Sequence, residues 1–149
     1  MKTSALLVLT LLVASPLLRA DEISEADTAL IKAVRDAGGQ ATQLAQNDTR
    51  ITIAFHLSDK EITDDTIKIL AGAKNVYSIN LRGTKVTNGG MANLAGLTEL
   101  VRLHLENTAV TDDGIAQLKG LTQLEYLNIY GTPATDAALT HLNGMKGLK

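Results

Sequence analysis

The sequence predicts an α/β solenoid, with a short parallel sheet on its concave face, short helices on its convex face and one helix covering the first repeat. Three observations predict it. A unit of 24 residues recurs four times without a gap between residues 49 and 144. Within the unit, apolar residues return at fixed positions, first two apart and then three apart. The chain of 149 residues is 45% hydrophobic but only 3% aromatic, with no Trp. Such an interior is built from thin aliphatic layers that stack on one another.

The N-terminal segment reads as a targeting signal. Lys2 precedes an apolar run from Ala5 to Leu18, interrupted by Thr10, Ser15 and Pro16, and Arg19-Ala20 leads into Asp21-Glu22. A charged start, a short apolar run and a small residue before a polar stretch describe a secretory signal peptide over 1–20, cleaved after Ala20. The run is shorter than the roughly 20 residues that cross a bilayer. An uncleaved anchor is the alternative. Cleavage removes Lys2 and Arg19, so 12 of the 14 basic residues face 16 acidic ones and the formal charge moves from −2 to −4. With no run of Lys or Arg longer than one residue, this balance excludes a basic nucleic-acid footprint and a polybasic membrane patch. The chain has no Cys, which excludes disulfides, thiolate nucleophiles, thiolate-bound zinc and a lipidated cysteine.

Residues 21–48 are expected to cap the repeats. Ser24 to Ala37 reads as an amphipathic helix started by Ser24 and Asp27. Ala26, Leu30, Ala33, Val34 and Ala37 line its apolar face, and Gly38-Gly39 stops it. Gln40 to Asn47 is expected to be a strand or loop leading into the first repeat.

The repeat domain spans 49–149, as blocks 49–72, 73–96, 97–120 and 121–144 and the start of a fifth at 145–149. Position 7 of the blocks holds Phe55, Ile79, Leu103 and Leu127; position 9 holds Leu57, Leu81, Leu105 and Ile129. That spacing marks the buried face of a strand. Position 14 holds Ile62, Val86, Val110 and Ala134. Position 19 holds Ile67, Met91, Ile115 and Leu139, and position 22 holds Leu70, Leu94, Leu118 and Leu142. These share one face of a short helix, and Gly at position 24 ends it. Position 15 is always Thr, and position 16 holds Asp64, Asn88, Asp112 and Asp136. Their oxygens suit the free N–H groups of the helix that follows in the same block. A column of acidic groups also suits calcium, but Asn88 interrupts it, and capping explains both the residue types and their place. Block one departs from the pattern twice, with Thr52 at position 4 and Lys60 at position 12.

The pattern LxxLxxLxLxxTxVTDxGLxxLxG resembles the leucine-rich repeats of secreted bacterial proteins, notably planctomycete ones. It is also similar to the cysteine-containing repeat class of F-box-type ubiquitin-ligase adaptors. Its period lies within the range of about 20–29 residues of such repeats. The match covers 49–144. The resemblance implies the fold and a binding role. No F-box-like segment accompanies it, and the signal peptide points away from ubiquitin ligation.

Positions 6, 8 and 10 point outward on the concave face. They are Ala54, His56 and Ser58, then Ser78, Asn80 and Arg82, then Arg102, His104 and Glu106, then Tyr126, Asn128 and Tyr130. The candidate partner-binding residues are His56, Asn80, Arg82, Arg102, His104, Glu106, Tyr126, Asn128 and Tyr130. Tyr and Arg supply large contact surfaces that carry polar groups, although the two Tyr residues would also shield the end of the sheet. Arg82 and Glu106 are expected to pair across adjacent strands. His56 and His104 fall in one column about 10 Å apart, too far for one metal ion whose nitrogen ligands sit at about 2 Å. His141 falls on the convex side. No nucleophile–base pair, phosphate-binding loop, metal site or cofactor site can be assembled from these spacings. The sequence therefore predicts a non-enzymatic protein-binding module outside the cytoplasm, with a glycan as another possible ligand. Met145 and Leu148 match positions 1 and 4 of a fifth block. The fourth block is thus expected to present an open strand edge and part of its apolar interior. Self-association through that end, or a place within a longer repeat protein, is the alternative reading.

Overall fold

Ser24 caps the first helix, α1 (Glu25–Asp36), by accepting the Asp27 N–H at 3.0 Å. The computed structural model describes residues 23–149, so the expected signal peptide lies outside the described residues. Leu30 and Val34 of α1 are buried against the first repeat, but Ala26 is exposed and Asp27 is buried in its place. Leu30 and Val34 keep the expected face, but its first turn is closed by Asp27, which has a polar partner, rather than by Ala26. The Asn75 side chain donates to Asp27 at 3.2 Å and to the Thr49 carbonyl at 3.0 Å. A buried carboxylate needs such a donor, and this one ties the cap to the second block.

Five strands form one sheet in sequence order: β1 (Gln40–Ala45), β2 (Asp48–Ala54), β3 (Val76–Asn80), β4 (Arg102–His104) and β5 (Tyr126–Asn128). The sheet is mixed rather than all-parallel. β1 pairs antiparallel with β2, and β2 to β5 are parallel. A tight turn can join an antiparallel pair, whereas parallel neighbours need a crossover. The crossovers carry α2 (Asn88–Leu94), α3 (Asp112–Ala116) and 3-10 turns at Thr66–Leu70 and Gln117–Gly120, and a further 3-10 segment, Asp136–Leu142, follows β5. With a repeating strand–crossover unit and one aliphatic core between sheet and helices, the chain has an α/β leucine-rich-repeat fold.

The register of block one differs from the gapless alignment. Ile53, not Phe55, lies opposite Ile79, and Ile79 lies opposite Leu103. Phe55 therefore occupies the place of Leu81, Leu105 and Ile129. The turns confirm it, because Ser58 N–H bonds the Phe55 carbonyl as Thr84 bonds Leu81, Thr108 bonds Leu105 and Thr132 bonds Ile129. Leu57, expected in the core, is 67% exposed. It stands at the turn position held elsewhere by Gly83, Asn107 and Gly131, whose φ angles are 70°, 54° and 70°. A longer loop absorbs the offset before Ile62, which accepts the Lys85 N–H as Val86 accepts that of Ala109. A slip of two residues keeps every side chain on its original face, so the apolar alternation cannot reveal it.

Position 16 caps the following block rather than its own helix. Asp64 accepts the Thr87 N–H at 2.8 Å and the Thr87 hydroxyl at 2.6 Å. Asp112 does the same to Thr135, at 2.7 Å for both bonds. Asn88 accepts the Thr111 N–H at 2.8 Å but donates its amide to the Thr111 hydroxyl, also at 2.8 Å. The chemical difference propagates. Thr87 and Thr135 give their protons to a carboxylate and accept the N–H of Gly89 and Ala137. Thr111 spends its oxygen on the Asn88 amide and makes no such cap. The bonds from Thr135 hold the Asp112 carboxyl below the usual range, the backbone N–H first and the hydroxyl second.

Burial is complete in the middle layers and falls away in the fourth block. Ile67, Met91 and Ile115 are fully buried, whereas Leu139 in the same column is 55% exposed. Leu127, Ile129, Ala134 and Leu142 are only partly buried. Each internal layer is covered by the next block, and no further strand follows β5 among the described residues.

Candidate outer-face binding site

The face of the sheet turned away from the core is ordered in columns. Thr52, Ser78, Arg102 and Tyr126 form the first, and Ala54, Asn80, His104 and Asn128 the second. The turn residues His56, Arg82, Glu106 and Tyr130 follow at matching places. Thr52 and Ala54 thus take the places expected for Ala54 and His56. Ser58 leaves the face and accepts the Lys60 N–H in the turn. His56 and His104 do not share a column; His56 is exposed beside Arg82.

Blocks three and four assemble the densest part of the face. The His104 Nδ1 lies 3.1 Å from Glu106 Oε1, which also accepts the Asn128 amide at 2.7 Å. The same amide reaches the Tyr126 hydroxyl at 3.2 Å, and Asn128 Oδ1 accepts the Tyr130 N–H at 3.0 Å. The His104 and Tyr126 rings are tilted against each other with centroids 4.8 Å apart. Arg102 places its guanidinium 4.7 Å from the centre of the Tyr126 ring. These contacts fix Arg102, His104, Glu106, Tyr126 and Asn128 as one connected unit, with Tyr130 at its rim, 77% exposed.

Glu106 does not pair with Arg82. Its side chain turns inward to Asn128 and His104 and is only 12% exposed, and its Oε2 has no hydrogen-bond partner. Inward donors outcompete a solvated cation, whose exposed pairing gains little. Arg82 stays exposed, with its backbone N–H bonded to Asn80 Oδ1 at 3.0 Å. Asn80 and Asn128 play the same local part, each closing the turn after its strand.

Sequence reasoning placed the nine candidate residues and Ala54 on a common face but missed Thr52 and set Ala54 in the first column instead of the second. The signal was present in block one. Thr84, Thr108 and Thr132 each send a hydroxyl to a carbonyl three residues back at 2.7 Å. Lys60 breaks that column in the gapless alignment, and Ser58, two residues earlier, restores a hydroxyl to it. Among the described residues, no three His, Asp or Glu side chains converge as metal ligands. No helix of the described residues is long and apolar enough to cross a membrane.

No protein-family model matches the chain, and no curated protein matches it. Among solved structures, it is similar to an internalin (inlF) from Listeria monocytogenes, with a TM-score of 0.45 and 17% identity over 64% of this chain and 33% of that one. It is also similar to an internalin C2 (inlC2) from the same organism, with a TM-score of 0.40 and 20% identity over 80% of this chain and 70% of that one. The chain spans about a third of the length of the first internalin, at 33%. The fold assignment stands on this chain's own strand order, register and repeat columns.

Proposed function

We propose that this chain is a non-enzymatic protein-binding module that acts outside the cytoplasm and meets its partner with the outer sheet face. The observation that carries the reading is the connected unit of Arg102, His104, Glu106, Tyr126 and Asn128 beside exposed Tyr130. Side chains already held in place lose little freedom on binding. Tyr and Arg are also the residue types that anchor interfaces. The signal-like sequence over 1–20 supports export. Capture from native envelope and culture medium tests the reading, with wild type and the Tyr126→Ala/Tyr130→Ala variant compared side by side. Wild type is expected to retain a partner that the double variant loses, with the melting temperature little changed. Equal capture by both proteins would remove the outer face as the binding site.

Exposed Leu139 favours a second reading, in which the fourth block is the contact surface of an assembly element. Its column is fully buried in every other block. Sedimentation would then show concentration-dependent association that Leu139→Lys abolishes. Monomers at all concentrations would exclude self-assembly through this end.

A further inference from the structure

The charges of the outer face are not those of the whole chain. The protein carries a formal −2, yet the two freely exposed charges among the sheet columns are both guanidinium groups, Arg82 and Arg102. Neither forms an ion pair among the described residues, where Lys32, Arg50, Lys68 and His104 do. The only carboxylate in these columns, Glu106, is turned inward and held by Asn128 and His104. The groove beside Arg82 adds Lys60 and Lys85 against Asp59 and Glu61, so cations outnumber carboxylates there too.

Resting on the reading that this face binds a partner, we infer that it takes an extended acidic polypeptide segment whose carboxylates reach Arg102 and Arg82. The Arg102 guanidinium is pre-positioned over the Tyr126 ring at 4.7 Å. The Tyr126 oxygen accepts the Asn128 amide, so its own proton is free to be donated outward. A carboxylate beside Tyr126 therefore meets guanidinium N–H groups and a phenol O–H together. Guanidinium–carboxylate pairing is the strong, directional kind of charge-assisted bond.

Arg82 is one strand over from Arg102, in the turn two residues beyond the end of β3, which places the two backbones roughly 11–14 Å apart, the upper bound being the ordinary strand spacing. An extended peptide covers that distance in about four residues, and residues four apart point to the same side. Carboxylates at i and i+4 match the two cations. Carboxylates bunched together would sit over Glu106, which lies between Arg82 and Tyr130 in its column, and would be repelled.

Titration of the purified chain tests this with a short capped Gly/Ser peptide bearing two Glu residues four apart. Its Gln and Lys counterparts and a sulfated glycan serve as comparison probes. The Glu peptide is expected to bind about tenfold more tightly than the Gln peptide, and Arg82→Gln or Arg102→Gln should each cost about tenfold. Added salt should weaken the binding. Both arginines are exposed, so circular dichroism should show both variants folded. Equal affinity for the Glu and Gln peptides, or for wild type and both arginine variants, would overturn the inference. Binding of the sulfated glycan without the Glu peptide would also overturn it, in favour of a polyanionic sugar. If the tyrosine double variant still loses its captured partner, the outer face remains the binding site while the acidic segment is rejected. If that variant keeps the partner, the face itself is wrong.

Discussion

Gly114→Ala and Gly96→Ala are the same substitution with opposite expected signs. A Cβ on Gly114 would meet Asn88 Oδ1 at 2.5 Å and Val110 Cγ1 at 2.7 Å. Both neighbours are pinned. Val110 is fully buried, and Asn88 is held by its two bonds to Thr111. Overpacking of this kind costs about 1–3 kcal/mol. Replacing Gly by Ala at a compatible backbone returns about 0.4–1 kcal/mol through the unfolded chain. The net expectation for Gly114→Ala is a loss of about 1–2 kcal/mol, or roughly 3–8 °C in melting temperature for a domain of this size. Block four bounds the cost from above. Ala138 already occupies the equivalent place, fully buried, in a segment wound as a 3-10 helix rather than an α-helix. A Cβ can therefore be housed if the segment tightens. On Gly96 a Cβ would meet nothing within 4 Å, and its φ is not among the positive ones. Gly96→Ala should leave stability unchanged or raise it by up to about 1 kcal/mol. Urea and thermal unfolding of both variants give the answer. A Gly114→Ala protein as stable as wild type would refute the packing argument.

Two further perturbations test the register and the clamp. Phe55→Ala should cost about 3–5 kcal/mol, as for a buried aromatic, and Leu57→Ala less than about 0.5 kcal/mol, as for a surface change. The gapless alignment would put both in the core, so a large loss at Leu57 in chemical denaturation would restore it. Asp112 has its carboxyl held low by Thr135. A depressed value means stability that is present above the ordinary carboxylate range and lost as pH falls through the folded value. Wild type should therefore lose stability more steeply than Asp112→Asn between neutral pH and about pH 3. Parallel urea-midpoint curves for the two proteins across that range would contradict the clamp.

Most of the fold was legible because one pattern is written four times between residues 49 and 144. The strand face, the crossover face and the closing glycines all follow from spacing, and spacing survives any even slip. That is also why block one misled, since Leu57 has the right polarity and parity for the core and only the hydroxyl column gives it away. The helix α1 was legible as an element and in its Leu30–Val34 face but not in its first turn, because nothing local marks Asp27 as the partner of Asn75, far along the chain. The same holds for the outer face. Column membership follows from alternation, and Arg82 and Glu106 therefore looked like a pair. The inward turn of Glu106 depends on the Asn128 amide in the next block, a contact that no pairwise charge rule contains.

The division between invariant and varied positions explains where recognition can reside. Position 15 is Thr and position 24 is Gly in all four blocks. At position 15, Thr87, Thr111 and Thr135 each bond the position-16 residue of the preceding block, so a change there is felt by the stack, whereas a Cβ at Gly96 or Gly144 would meet nothing within 4 Å. The outer columns change residue at every step, from Thr52 through Ser78 and Arg102 to Tyr126. Their side chains answer to few packing constraints because the strand backbones and the aliphatic layers beneath already hold the sheet. Even so, the variation in blocks three and four is not independent. Arg102 needs the Tyr126 ring, Tyr126 needs the Asn128 amide, and Asn128 shares Glu106 with His104. Such a network spans two repeats and cannot be generated by copying one. It is the part of the surface that repetition does not explain, and the outer-face reading rests on it.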